Sequence, residues 1–413
     1  MYLNPLAKQI ALLRTLYAPE MRKIPLPILW RIRQLLKNEK FVRLNDQIII
    51  NSFVPPFPSQ AFRGMIQGLH RIRQGHAVPV SAYVAVTNHC RYVCWHCSKA
   101  HRVEQDLPLD IMQKSIQAIQ DLGVSIIGFT GGEPLLRSDL KDILRTVDNR
   151  SVTLLFTTGD GFTEARAMEL KRSGLFGVAI SLDHYEARIH DQRRGREGAY
   201  ETALTAIRIA RRLGFYTMIQ LVATKDLAQP NAFERYLDLA RRLDVHEIRL
   251  LEPMPTGRLL DTGRCSLLSS TERQVLRQLH LRTNRDLRLP KVSAFAHIEA
   301  QDMYGCGAGF QHLYIDAEGN VCPCDFTPIS FGNIQKEPLS VIWNRMNTAF
   351  ARPRPCCFLM QNAEKLREAF QGQLPIPFEK VKEICRCEPD QPVPRYYEDL
   401  GWKRTCPHAK AHL

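Results

Sequence analysis

No stretch of the chain approaches the roughly eighteen consecutive apolar residues that a membrane-spanning helix needs, so none of it is expected to cross a bilayer. A secretion leader is missing from the reading as well. Lys8 and Arg14 interrupt the only apolar stretch near the N-terminus, and no small-residue cleavage site follows. Twelve cysteines without such a leader argue against a disulfide scaffold and for metal ligation in a reducing compartment, with the cytoplasm as the expected location. Acidic residues are short too: 42 Asp and Glu face 56 Lys and Arg, a formal charge of +14 that favours anionic partners. The imbalance is uneven. Residues 1–43 hold nine Lys or Arg against Glu20 and Glu39, a net of +7.

What is present begins with length. A chain of 413 residues can bury a large core and is expected to divide into two or three domains. Cys90, Cys94 and Cys97 stand as C-x3-C-x2-C within TNHCRYVCWHCSKA. Three thiolates so close together can hold three irons of a cubane cluster and leave the fourth iron open to chemistry. A zinc site is the competing reading, because His89, His96 or His101 could supply a fourth ligand. Zinc sites usually bring ligands as two separated pairs, whereas this is one tight triplet after the alternating run Val80 to Val86.

The surrounding chain alternates apolar runs with helical patterns. Strands are expected at Ala82 to Val86, Ser125 to Thr130, Thr153 to Thr157, Gly177 to Leu182, Thr217 to Ala223 and Glu247 to Leu251. Helices are expected near 109–122, 138–147, 163–173, 198–213 and 231–243, and Ser269-x-x-Glu272 reads as a capping box opening another. Six β/α units imply an α/β fold with a parallel sheet, closed as a partial (β/α)6 TIM-like barrel over residues 79–285. In such barrels the chemistry sits in the loops after the strands.

Residues 1–78 read as a small helical and hairpin region. Two short amphipathic helices are expected, with Ile10, Leu13 and Leu16 on one face and Ile28, Ile32 and Leu35 on another. A hairpin turned at Asn45-Asp46 and a helix from Gln60 to Gln74 follow. This basic region could lie on an anionic membrane surface, grip a peptide, or simply cap the barrel with its charges solvated.

The motifs, in their order, resemble the radical S-adenosylmethionine (radical SAM) superfamily. After the cysteine triplet, Gly131-Gly132-Glu133-Pro134 resembles the family's GGEP motif, which the resemblance assigns to the SAM amino group. Two glycines let backbone approach a ligand, and a carboxylate can accept from an ammonium. Ser181-Leu182-Asp183 is similar to the family's Ser-x-Asp, which contacts ribose or carboxylate; its plain alternative is a helix N-cap. Arg194, in HDQRRG, matches an arginine near the SAM carboxylate, against the alternative of a surface basic turn. Phe156-Thr157-Thr158-Gly159 stands where the family often has Thr-Asn-Gly, and no role is assigned to it. Pro253-x-Pro255-x-Gly257-Arg258 is similar to a turn on the adenine side, although Glu252 and Arg258 could simply pair.

Within the C-terminal region, residues 286–413, the texture turns cysteine-rich from Ala300. A hairpin turned at Glu318-Gly319 is expected to bring Cys306 and Cys324 towards one point, where iron–sulfur or zinc could bind. The run CGAGFQHLYIDAEGNVCPCDF resembles the SPASM or twitch extension, which binds auxiliary [4Fe-4S] clusters. The longer form's C-x2-C-x5-C-x3-C run is missing, which favours one auxiliary cluster over two. Cys357, or its neighbour Cys356, is the expected third ligand, with Cys322, Cys385 or Cys387 completing the set; Cys265 reads as a free thiol.

The expected function is therefore that of a radical SAM enzyme which cleaves SAM reductively to a 5′-deoxyadenosyl radical and takes a hydrogen atom from a peptide, small molecule or lipid. The resemblance implies Cys90, Cys94 and Cys97 as metal ligands, with Cys306, Cys324 and Cys357 expected for the auxiliary cluster, and Gly131, Gly132, Glu133, Pro134, Ser181, Asp183 and Arg194 as the residues expected to bind the cofactor. Flavodoxin or ferredoxin is the implied reductant, peripheral membrane contact through the N-terminus is entertained, and nucleic acid is not an expected partner. The alternatives are a structural zinc protein binding nucleic acid and an iron–sulfur electron carrier.

Overall fold

The protein is seen here as a computed structural model, which describes residues 2–229, 231–261, 267–386, 388 and 390–402. Cys265, Cys387 and Cys406 lie outside the described residues.

The N-terminal hairpin pairs β1 (Val42–Leu44) with β2 (Gln47–Ile49). Asn45 takes the left-handed conformation its turn requires, at φ 51°. Six strands then form the barrel: β3 (Ser81–Thr87), β4 (Ile126–Gly131), β5 (Val152–Thr157), β6 (Gly177–Ser181), β7 (Tyr216–Val222) and β8 (Glu247–Leu251). All are parallel, each paired with the next. Helices Leu109–Asp121, Leu140–Thr146, Glu164–Arg172, Ala199–Arg212 and Glu234–Arg242 connect them. Each expected strand and connecting helix is present within a few residues, because apolar runs buried on both faces and amphipathic crossovers leave a parallel sheet few alternatives.

The sheet does not stop at residue 285. After a helix opened by the Ser269/Glu272 capping box, β9 (Val292–Ala294) joins β8 in parallel. At the other edge, β10 (His312–Ile315) pairs with β3 in parallel, and β11 (Val321–Cys322) closes the hairpin around Gly319. The result is one nine-stranded sheet in the order β11-β10-β3-β4-β5-β6-β7-β8-β9. Two short strands, β12 (Ile329–Ser330) and β13 (Ile376–Pro377), pair outside it.

The N-terminal region closes the end of the barrel where the strands begin. Val42 and Ile49 pack with Ile126, Leu154, Tyr216 and Met218. Ser52 donates to both carboxylate oxygens of Glu247, at 2.8 and 3.0 Å. Its charges are not all solvated, as one reading had it. Glu39 is buried against Lys291 at 2.7 Å and His280 at 3.2 Å, and Lys40 donates to the carbonyls of Thr283, Asp286 and Leu289. The expected helix face is also shifted: helix Pro5–Leu16 buries Ala11, Leu12, Thr15 and Leu16, while Ile10 and Leu13 face outwards.

Candidate functional site

The cysteine loop leaves the C-terminal end of β3 and is held there by backbone hydrogen bonds from three sides. Gly132 N donates to Thr87 O and Glu133 N to His89 O, both at 2.8 Å. On the far side Val93 N bonds Arg194 O and Trp95 N bonds Arg193 O. From β8, Arg258 N reaches Cys97 O at 3.0 Å. Such approaches need glycine: a Cβ on Gly132 would stand 2.2 Å from His89 O, and one on Gly257 the same distance from Cys97 O. The double glycine at the end of β4 thus lets two loops zip together.

Within this frame the three thiols are close enough to influence one another, and burial pushes Cys90 up to about 12 and Cys94 upward as well. Arg194 opposes that at Cys94, its Nη1 lying 3.7 Å from the sulfur. The arginine is buried at the end of helix Ala187–Arg194, not in a surface turn. Its Nε pairs with Asp183 Oδ2 at 2.8 Å, and His96 Nε2 lies 3.2 Å from the same oxygen. Burial opposes the charge on Asp183, but Arg194 and His96 outweigh it and hold the carboxyl well below its usual range. Asp183 is no N-cap, since the next helix starts at Ala187 behind Glu186. Ser181 ends β6 half-buried, in register with Gln220.

Glu133 is fully buried. It accepts from Thr157 Oγ1, Leu135 N, Thr158 N and Thr158 Oγ1, at 2.6, 3.1, 2.7 and 2.6 Å. Four bonds fill the four lone-pair positions of a carboxylate. Burial pushes its pKa up, and those same bonds restrain it. The carboxylate therefore anchors the loop to the end of β5. Thr157 and Thr158, given no role from sequence, are its partners; Pro134 opens the short turn that follows.

Of the C-terminal cysteines, the structure brings Cys306, Cys324 and Cys357 together. Cys357 donates to Cys306, which favours the Cys306 thiolate and, with burial, pushes Cys357 upward; burial and the negative charges of Asp325 and Cys306 push Cys324 upward. Cys306 N also bonds Arg354 O at 2.8 Å. Cys322 is elsewhere: on β11 it meets Arg102, which pairs with Asp316 at 2.6 Å and ties the cysteine loop to the hairpin. Cys385 has Arg354 for a charged neighbour, and Cys356 is exposed. Neither joins the trio. Glu252 pairs with Arg273 at 2.8 Å, not with Arg258.

Sequence reading missed Glu299, for which a lone carboxylate in a helical turn offers no signal. Burial and its negative neighbours Cys306, Glu252 and Asp325 push it well above the ordinary range. It lines a cavity of about 270 Å3 with the thiol trio, Tyr83 and Met254, roofed by apolar residues of the N-terminal region. Both thiol sets suit a cubane, whose separate irons each take one thiolate; among the described residues no three His, Cys, Asp or Glu gather around a single ion.

Comparison with known proteins bears on the family and the fold. Residues 84–227 match the radical SAM superfamily, and residues 306–356 match the SPASM iron-sulfur cluster-binding domain, stopping one residue before Cys357. The chain is 24% identical over 287 residues to an AdoMet-dependent heme synthase of Oleidesulfovibrio alaskensis, covering 63% of this chain and 73% of that protein. It is 26% identical over 310 residues to a PqqA peptide cyclase of Bradyrhizobium diazoefficiens, covering 70% and 79%. Among solved structures, Streptococcus suis SuiB bound to its precursor peptide SuiA matches with a TM-score of 0.54 at 16% identity, over 69% of this chain and 68% of that one.

Proposed function

The chain belongs to the radical SAM superfamily and carries a SPASM extension, and from that premise we propose a division of labour among its residues. It is an enzyme whose [4Fe-4S] cluster, when bound with SAM and reduced, supplies a 5′-deoxyadenosyl radical that takes a hydrogen atom from substrate. Cys90, Cys94 and Cys97 hold that cluster. Arg194 sets a buried positive charge beside Cys94 and offers its guanidinium to the SAM carboxylate, while Asp183 and His96 keep the fork in place. Gly131, Gly132 and Pro134 give the loop its path, and Glu133 locks it so that backbone carbonyls meet the SAM ammonium. Ser181 faces the ribose.

Cys306, Cys324 and Cys357 hold one auxiliary cluster at the wall of the cavity, where Glu299 adds a carboxyl. Substrate sits in that cavity, whose lining runs from the thiol trio to Tyr83 on β3 and to Met254 after β8; selectivity in such chemistry is positional, the hydrogen nearest the reactive carbon being the one removed. The apolar lining keeps water away from it. Several similar proteins act on peptides, and small molecules remain within the cavity's size. A low-potential reductant such as flavodoxin or ferredoxin and a cytoplasmic setting belong to the same reading.

One observation carries this proposal: a cysteine loop clamped by three neighbouring loops, with the Asp183–Arg194 pair aimed at its middle thiol. Anaerobic reconstitution followed by dithionite and SAM tests it. Formation of 5′-deoxyadenosine, lost in Cys94→Ala, is expected. Uptake of zinc without iron and sulfide would overturn the reading.

A further inference from the structure

Helix Pro5–Leu16 has two apolar faces, and the described residues cover only one of them. Leu6, Ile10, Leu13 and Tyr17 follow one another at helical spacing and are 72, 45, 48 and 77% exposed. The second helix, Leu26–Leu36, adds Leu26 and Trp30 at 78 and 60%. Scattered exposed apolar residues are ordinary; a row at the helix repeat is not. Neither helix contains an acidic residue. Arg14, Arg22, Arg33 and Lys37 are exposed around the row. Lys8 Nζ bonds Lys37 O at 2.7 Å, so the two helices run back alongside each other.

The inner side of this helix pair looks the other way. Leu16, Met21, Ile32 and Leu35 roof the cavity whose floor holds the thiol trio. One thin layer of side chains thus separates an outward apolar and basic face from the chamber assigned above to substrate.

We propose that the helix pair seats the chain on an anionic bilayer, and that the substrate is a lipid whose hydrocarbon chain passes between the helices into the cavity. The lipid part rests on the function proposed above. Large apolar side chains exposed on two helices that carry Arg and Lys and no acidic residue of their own complement anionic headgroups over acyl chains. A peptide partner would be expected to face a groove with matched pockets, and here the row is the surface of a helix.

The test uses the full-length, reconstituted protein with vesicles of phosphatidylcholine, alone or mixed with phosphatidylserine. Co-sedimentation is expected with the mixed vesicles, weakening as salt rises. Arg14→Glu/Arg33→Glu and Ile10→Ser/Leu13→Ser should each weaken it by about tenfold or more, with thermal unfolding unchanged because all four residues are exposed. A blue shift of Trp30 fluorescence, absent in Trp30→Phe, should accompany binding. A phospholipid with a photoreactive acyl chain should label the cavity-lining stretch around Phe62 to Leu69. Vesicle binding that is absent, or equal in the variants, would overturn the docking; protection of the row by a peptide and not by vesicles would do the same. Label confined to the outer row would overturn the lipid substrate. Deoxyadenosine formation without vesicles is a separate readout, so its failure strikes the catalytic reading and leaves the docking result standing.

Discussion

Arg194 divides its guanidinium between two buried partners: Nε lies 2.8 Å from Oδ2 of Asp183, and Nη1 lies 3.7 Å from the sulfur of Cys94. The pair joins the end of β6 to the middle of the cysteine loop. Asp183→Asn should leave a buried guanidinium without its counter-charge and cost about 3–5 kcal/mol in urea unfolding of the apoprotein. Asp183→Asn/Arg194→Met should recover much of that loss.

Thr158 donates twice to Glu133, once from its backbone and once from its hydroxyl. Thr158→Val keeps the shape and removes the hydroxyl, so a buried carboxylate oxygen loses a donor. A loss of about 1–3 kcal/mol is expected, read as a lower melting temperature.

Gly257→Ala would put a methyl group 2.2 Å from Cys97 O, with Ser98 backbone behind it. The loop must shift to admit it. The purified variant is expected to carry little iron at the first site, while its far-UV circular dichroism stays that of the parent.

The thiol trio predicts an unequal cysteine scan. Cys306→Ala, Cys324→Ala and Cys357→Ala should each lose roughly half of the bound iron and sulfide, as expected for one of two cubanes. Cys322→Ser and Cys385→Ser should lose none, because Cys322 meets Arg102 and Cys385 stands apart from the trio.

Burial, reinforced by Arg211, holds His246 down to about 3. Unfolded chain binds that proton near 6.5, so the unfolded state carries more protons between the two values and stability rises with pH there. Acidification below 6.5 should therefore cost up to about 1.4 kcal/mol per pH unit from this group. His246→Gln should flatten the profile, measured by urea midpoints across that range.

Much of the site was legible because its signals are local. Cys90, Cys94 and Cys97 sit within eight residues, and Gly131-Gly132-Glu133-Pro134 follows the next strand, so order along the chain already ordered them in space. The motif points to Arg194 and leaves a surface turn equally open; its burial depends on Asp183, Cys94 and the loop above. The motif gives Thr157 and Thr158 no role, because their hydroxyls acquire meaning only opposite Glu133. At the N-terminus, a helix with apolar residues on two faces cannot announce which face will be covered, and Ile10 and Leu13 were assigned to the wrong one.

By itself the sequence determined the alternation of strands and crossover helices, and with it a parallel sheet with its reactive loops at one end, since hydrophobic period and chain connectivity are properties of neighbours in the chain. Tertiary structure alone decided the rest: that β10 and β11 would extend the barrel's own sheet, that Cys306, Cys324 and Cys357 would meet while Cys322 stayed behind, and that the N-terminal helices would roof the cavity. These depend on contacts between residues tens to hundreds of positions apart, and no local pattern encodes a partner at that distance.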